Sequence, residues 1–215
     1  MLKITVVTRG SAAWLDAGEL VRRTYAEAYG ARISPDPDAF FLAAATRADG
    51  TRAIAGCAGC TYASATPFFS ERYLDQPIES AIAQRLGTPV DRDRVIEIGP
   101  LAGHGGAGRE LIRLTPIIAW SMGMEYLLCT VTGALRSSLE RVGITFTPLG
   151  PADPDRIDPG QRAAWGSYYD QQPRTGFIEL RALAPLFAEA TGRYAFLDPE
   201  VGLLAQGEVL SRAGR

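Results

Sequence analysis

Residues 3–8 alternate along the chain and are rich in β-branched side chains, which predicts a first strand. A helix follows over about 11–29, because Trp14, Leu20, Val21, Tyr25 and Ala28 fall at helical spacings and Gly30 supplies a stop. The segment ARISPDPD reads as a loop. Residues 39–46 and 52–64 read as two strands joined by a turn at Ala48-Asp49-Gly50. The stretch 67–87 reads as mostly helical, ending at Gly87. A strand over 94–102 ends in a disturbance at Gly99-Pro100.

A helix over 105–123 carries Leu111, Leu114, Ile118 and Met122 on one side, with Pro116 expected to kink it. Residues 125–131 form a buried strand. Thr132 then caps a short helix that Gly143 closes. Residues 144–150 read as a strand and 151–173 as a Pro- and Asp-rich insertion. A last strand spans 174–183, a short helix runs to about Ala190, and the remainder is expected to be loosely held. Adjacent strand pairs mixed with β-α-β units imply an α/β (α+β) protein: a mixed central sheet covered by helices. The expected organisation is one domain over 1–192, with 151–173 covering its site and a tail over 193–215.

Composition narrows the function classes. The 215 residues carry a net charge of −2, which gives no electrostatic case for nucleic acid. Lys3 is the only lysine, and His104 the only histidine. A single histidine excludes a multi-histidine metal site, and no metal is expected. It also makes any Ser-His-Asp arrangement depend on one ring. The opening MLKITVVTRG lacks a signal-peptide layout, and no apolar run reaches the length of a membrane helix. The expectation is a soluble, cytoplasmic protein without stable membrane insertion. Cys57, Cys60 and Cys129 make no disulfide framework. The pair Cys57-x-x-Cys60 has redox spacing but lies in a strand pattern, where residues three apart face opposite ways.

The segment GPLAGHGGAGREL, residues 99–111, is the richest chemical feature. A strand runs into a glycine cluster and a helix follows at once. That arrangement aims free backbone N–H groups and a helix dipole at an anion, and Arg109 adds a charged clamp. Gly103, Gly105 and Gly108 match the dinucleotide pattern G-x-G-x-x-G. However, the next strand, EYLLCTV, ends without the ribose-binding acid such a site needs. A Walker site is excluded because no lysine follows the loop. A tight glycine turn without a ligand remains the plain alternative.

The loop resembles the pyrophosphate loop of the GNAT acyltransferase superfamily, R/Q-x-x-G-x-G/A, here His104-Gly105-Gly106-Ala107-Gly108-Arg109. Four further strings together resemble the thermostable hemolysin family, related to GNAT acyltransferases and acyl-homoserine-lactone synthases. They are PFFSERYLDQPIE (67–79), VIEIGPLAG (95–103), LRSSLERVGITFTPLGPADPDRI (135–157) and WGSYYDQQP (165–173). The likeness spans roughly residues 10–185. Where the family pattern reads E-x-G-N-L-A, this chain has Pro100 in place of Asn, losing a side-chain amide and a backbone N–H. The family name implies membrane lysis, which nothing in the sequence supports.

The resemblance implies a GNAT-like three-layer fold and an N-acyltransferase. Its donor would be acyl-CoA or an acyl-phosphopantetheine carrier protein, and its acceptor a small amine or amino-acid-derived molecule. Leu101, Gly103, His104, Gly105, Gly106, Ala107, Gly108 and Arg109 would hold the donor. Glu97 is a general-base candidate, or a structural carboxylate paired with an arginine such as Arg94 or Arg136. The backbone N–H of Leu101 is the expected oxyanion donor. Tyr168 and Tyr169 are candidates for reprotonating the thiolate, or for packing the insertion. Tyr25, Arg136 and Trp165 are assigned to the acceptor, Trp165 doubling as an anchor for the insertion. The acids Asp153, Asp155, Asp158 and Asp170 would favour a cationic amine or form a solvated loop. An autoinducer-synthase-like enzyme using S-adenosylmethionine and a membrane-active or noncatalytic binding protein are the rival readings. The oligomeric state is not assigned.

Overall fold

The computed structural model describes residues 2–46, 52–104 and 106–190. The expected turn at 48–50, Gly105 and the tail over 193–215 lie outside the described residues. Seven strands build one sheet: β1 (Leu2–Thr8), β2 (Ala39–Thr46), β3 (Arg52–Tyr62), β4 (Val95–Gly103), β5 (Tyr126–Val131), β6 (Thr147–Pro151) and β7 (Arg174–Glu179). Their order is β1-β2-β3-β4-β5-β7-β6, antiparallel throughout except for β4 against β5.

Helix α1 (Ala12–Tyr29) is capped by the Ser11 hydroxyl, which accepts the Trp14 N–H, and ends on left-handed Gly30. Its Ala17, Leu20 and Val21 pack on Phe40, Leu42, Cys57 and Ala102 from one face of the sheet. On the same face α2 (Ile78–Leu86) joins Phe68, Val95, Leu128 and Phe177 through Ile78 and Ile82. Helices α3 (Ala107–Ser121) and α4 (Gly133–Arg141) cover the other face through Leu111, Ala119 and Leu139, against Phe41, Cys60, Ile96 and Leu127. The result is the expected three-layer arrangement.

Several boundaries differ from the sequence reading. The stretch 67–87 is not one helix: a 3₁₀ turn over Phe69–Tyr73 precedes α2, and Pro77 at the α2 N-cap separates them. Pro116 sits inside α3, buried, without ending the helix. Strand β6 starts only at Thr147; Ile144 and Phe146 are buried but stand outside the ladder. Strand β7 stops at Glu179, where a 3₁₀ turn, Leu180–Leu183, leads into α6 (Ala184–Ala190). The insertion over 151–173 holds a 3₁₀ turn, Pro154–Arg156, then α5 (Pro159–Ala164) and a second turn, Tyr168–Gln171. Cys57 and Cys60 serve opposite sheet faces, and all three cysteines are free and buried.

Two features of β4 position the site. Ala58 opposes Leu101 and Cys60 opposes Ile98, so β4 carries one extra residue at Gly99-Pro100. This bulge falls where Pro100 has no N–H to give a ladder. The parallel ladder between β4 and β5 holds only at Val95, Ile96 and Glu97, opposite Tyr126, Leu127 and Leu128. Beyond Glu97 the two strands part. From there β4 continues against β3 alone and β5 against β7 alone, leaving an opening in the middle of the sheet.

Candidate active site

Glu97 stands at the end of that short ladder, on the α1 side of the sheet, and is 5% exposed. Its two carboxylate oxygens accept the backbone N–H groups of Phe69, at 2.9 Å, and Ser70, at 2.8 Å. These are free donors at the start of the 3₁₀ turn, so the turn grips the carboxylate as a helix N-terminus grips an anion. The Ser70 hydroxyl also favours the ionised form. Burial raises the Glu97 pKa, the Ser70 and Phe69 donors pull it down, and the net direction is upward. Neither arginine named for the alternative, structural reading of Glu97 pairs with it. Arg94 pairs with Asp91 and Glu125, and Arg136 with Glu140. Backbone donors replace them.

The turn is itself clamped. Glu71, nearly buried, accepts the N–H groups of Phe68 and Ile78 and pairs with Arg92 at 2.7 Å, which also reaches Glu79 at 2.8 Å. Burial pushes Glu71 up, but Arg92 and the two N–H donors outweigh it and hold the carboxyl below its ordinary value. Sequence reasoning missed Glu71, Ser70 and Arg92. Ser70 and Glu71 had one signal, the polar string SER directly after Phe68-Phe69, and Arg92, in the charged run DRDR, had none.

Seven aromatic rings gather over the turn. Trp165 stacks 4.9 Å from Tyr168 and also meets Tyr25 and Phe69, and Tyr168 meets Tyr29 edge-on at 5.3 Å. The Tyr73 and Tyr169 hydroxyls bond at 2.6 Å. Burial raises the pKa of Tyr168 and of Tyr169, so both stay protonated near neutrality. The Tyr168 hydroxyl points to the Thr130 carbonyl on β5, past the parting of the strands. Burial raises the Tyr25 pKa, opposed by the Leu101 backbone on β4.

The insertion is sewn to α1 at this point: Ser167 N–H donates to Tyr29 C=O at 2.9 Å and Arg32 N–H to Ala164 C=O at 2.6 Å. A Cβ on Gly166 would lie 2.1 Å from the Tyr29 carbonyl, so only glycine fits there. Asp153 and Asp158 cap local N–H groups and Asp155 pairs with Arg162, so these acids serve the insertion's own turns. A groove of about 800 Å³ opens beside the turn, lined by Tyr73, Leu74, Ala81, Leu149 and Arg156 among others.

The structure thus brings Glu97, Tyr25, Leu101, Trp165, Tyr168 and Tyr169 together. It leaves Arg136 apart, half exposed on α4, which packs on the opposite sheet face.

The glycine loop leads from β4 into α3. The His104 N–H extends the ladder to Ala55 C=O at 2.8 Å, the Ala107 N–H returns to His104 C=O at 3.0 Å, and Gly106 is left-handed. A Cβ on Gly103 would stand 2.9 Å from the Gly108 nitrogen, so strand and helix touch there. Gly103 therefore answers a packing demand and Gly106 a backbone one. Gly108 answers neither: a Cβ there meets nothing within 4 Å, and its φ is not positive. His104 and Arg109 are exposed, and among the described residues Arg109 has no ion-pair partner.

The family model for thermostable hemolysin matches residues 7–183. The chain belongs to the thermostable hemolysin family. No curated protein matches it. Among solved structures, this thermostable hemolysin family member is similar to the AHL synthase LasI, with 14% identity, TM-score 0.55, and 87% of this chain and 95% of that one covered. It is also similar to FeeM, an N-acyl amino acid synthase from uncultured soil microbes: 13% identity, TM-score 0.53, 86% and 98% covered. A third is BjaI, a CoA-dependent acyl-homoserine lactone synthase solved with MTA: 13% identity, TM-score 0.54, 89% and 90% covered. These likenesses show the fold, a GNAT-like mixed sheet between helical layers. Among the described residues no helix is long and apolar enough to cross a membrane.

Proposed function

We propose that this chain is an N-acyltransferase that moves an acyl group from a phosphopantetheine thioester to a small amine. One observation carries the reading: a buried carboxylate, Glu97, stands where β4 and β5 part, with an anion-ready glycine turn at the far end of the same strand. The donor's pyrophosphate would lie on the N-terminus of α3, against Gly106, Ala107, Gly108 and Arg109. Its pantetheine arm would run into the opening, whose unpaired backbone edges offer it hydrogen bonds.

The amine approaches from the groove that ends at Tyr73 and gives a proton to Glu97, directly or through one water. Its nitrogen forms a bond to the thioester carbonyl carbon. The developing oxyanion takes the Leu101 N–H. Collapse breaks the carbon–sulfur bond, and the leaving thiolate takes a proton from Tyr168 or Tyr169. The proton held on Glu97 then returns to the tyrosinate through solvent, and the products are an amide and a free thiol.

The test is direct. The protein is incubated with acyl-CoA or acyl carrier protein and a panel of amines that includes amino acids and S-adenosylmethionine, and products are read by mass spectrometry. An amide product, with free thiol in equal amount, is expected. No product with any donor, together with leakage of dye-loaded liposomes, would overturn the reading in favour of a membrane-active protein.

A further inference from the structure

Glu97 is not held by an opposite charge but by hydroxyls that continue away from it. Ser70 donates its backbone N–H to Glu97 at 2.8 Å, and its hydroxyl lowers the pKa of the same carboxylate. Ser70 Oγ lies 2.9 Å from Thr130 Oγ1, and Thr130 Oγ1 lies 2.7 Å from Thr175 Oγ1. Three elements contribute: the 3₁₀ turn, β5 and β7, where Thr130 and Thr175 are cross-strand partners. Ser70 and Thr175 are buried. Thr130 shares a strand face with Leu128 and is the first residue on that face after the strands part.

The direction of the chain follows from counting protons. A carboxylate only accepts, so where the Ser70 hydroxyl acts on ionised Glu97 it acts as the donor. Ser70 Oγ must then accept from Thr130, and Thr130 Oγ1 from Thr175. Buried hydroxyls are costly unless bonded, and valine would fill a strand position as well as threonine does. The three hydroxyls are therefore explained by what they do for the carboxylate.

We infer that Ser70, Thr130 and Thr175 form a one-way hydroxyl chain aimed at Glu97 and act as positioning residues that set its basicity. The inference rests on the acyltransferase reading of Glu97. An arginine in the same place would fix Glu97 as an anion and weaken it as a base. Neutral hydroxyl donors favour the anion far less than a full positive charge does, so removing one raises the midpoint only modestly. The other titratable groups near Glu97 are Glu71 and Tyr73 from the turn and Cys129 from β5, whose side chain packs on the opposite sheet face. Arg92 keeps Glu71 ionised, and burial raises Tyr73 and pushes the Cys129 thiol up to about 12. Of the two carboxyls, only Glu97 is shifted upward.

The experiment follows the Glu97 carboxyl carbon by NMR across pH in the full chain, alongside the acid limb of kcat/KM. Thr130→Val is expected to raise the midpoint by about half a pH unit and Ser70→Ala by about one. Thr130→Ser restores the wild-type midpoint. Thr175→Val, which removes only the outermost hydroxyl, moves it the same way by a smaller step. A folded Thr130→Val protein with the wild-type midpoint overturns the chain, whatever its activity. Shifted midpoints in a protein that transfers no acyl group uphold the chain and overturn the acyltransferase reading instead.

Discussion

The carboxylate of Glu97 and the backbone N–H of Ser70 meet at 2.8 Å across 27 residues of chain. That contact joins the strand that opens the sheet to the turn that roofs it, so one side chain serves both geometry and chemistry. Glu97→Gln separates the two roles. Its amide oxygen still takes one N–H, while its NH₂ faces the other donor, which costs about 2 kcal/mol of stability. Turnover at saturating amine is expected to fall about 10²-fold or more. In the wild type, kcat/KM should rise with pH through a midpoint above the ordinary 4.5, because burial holds the Glu97 proton on to higher pH. An unchanged rate in the variant would remove Glu97 as the base.

Glu71 shifts the other way, and its pH signature is opposite. Its folded pKa lies below the ordinary 4.5, so its stabilisation is complete above that value and fades as pH falls toward the folded one. Chemical denaturation between pH 7 and pH 3 should show this loss. Glu71→Gln should flatten the dependence and lower stability at pH 7 by roughly 2 kcal/mol, below the full value for a buried pair because Arg92 is partly exposed. A variant with the wild-type pH slope would count against the clamp.

The elements were legible in the sequence because they are local: caps at Ser11 and Thr132, stops at Gly30 and Gly87, and alternation in the strands. The bulge at Gly99-Pro100 was legible for the same reason, since proline announces a broken ladder. Glu97 stood out as a carboxylate between two isoleucines. What it touches did not, because its partners are backbone N–H groups 27 and 28 residues away, and backbone leaves no mark in a residue string. Arg136 was drawn in by its charge, though its helix packs on the other sheet face. The hydroxyls of Ser70, Thr130 and Thr175 are ordinary residues one by one and become a feature only when three elements converge.

The glycine loop gives a paired prediction. Gly103→Ala must push strand from helix, since the added carbon would lie 2.9 Å from the Gly108 nitrogen, and a loss of about 1–3 kcal/mol is expected. Gly108→Ala meets open space and gains helix propensity, so the melting temperature should hold or rise. Donor binding should nevertheless weaken severalfold, because the new methyl stands where the pyrophosphate must approach. Calorimetric titration with CoA reads the second effect. Equal CoA affinity in Gly108→Ala and wild type would return the loop to a plain turn.

Tyr168 and Tyr169 compete for the same proton-donating role, and their partners separate them. The Tyr169 hydroxyl is bonded to Tyr73, whereas the Tyr168 hydroxyl reaches past the parting of the strands to the Thr130 carbonyl, beside the opening. Burial keeps Tyr168 protonated well above neutrality, which suits a group that must donate to a thiolate. Tyr168→Phe keeps the ring and its stacking on Trp165 and removes only the hydroxyl. It is expected to lower kcat by about 10²-fold with little change in KM. Tyr169→Phe should instead lower stability by about 1 kcal/mol through the lost bond to Tyr73. The deciding measurement is kcat with donors of rising thiol acidity. A donor whose thiolate leaves without help should recover the Tyr168→Phe rate, and failure to recover it would assign Tyr168 to packing alone.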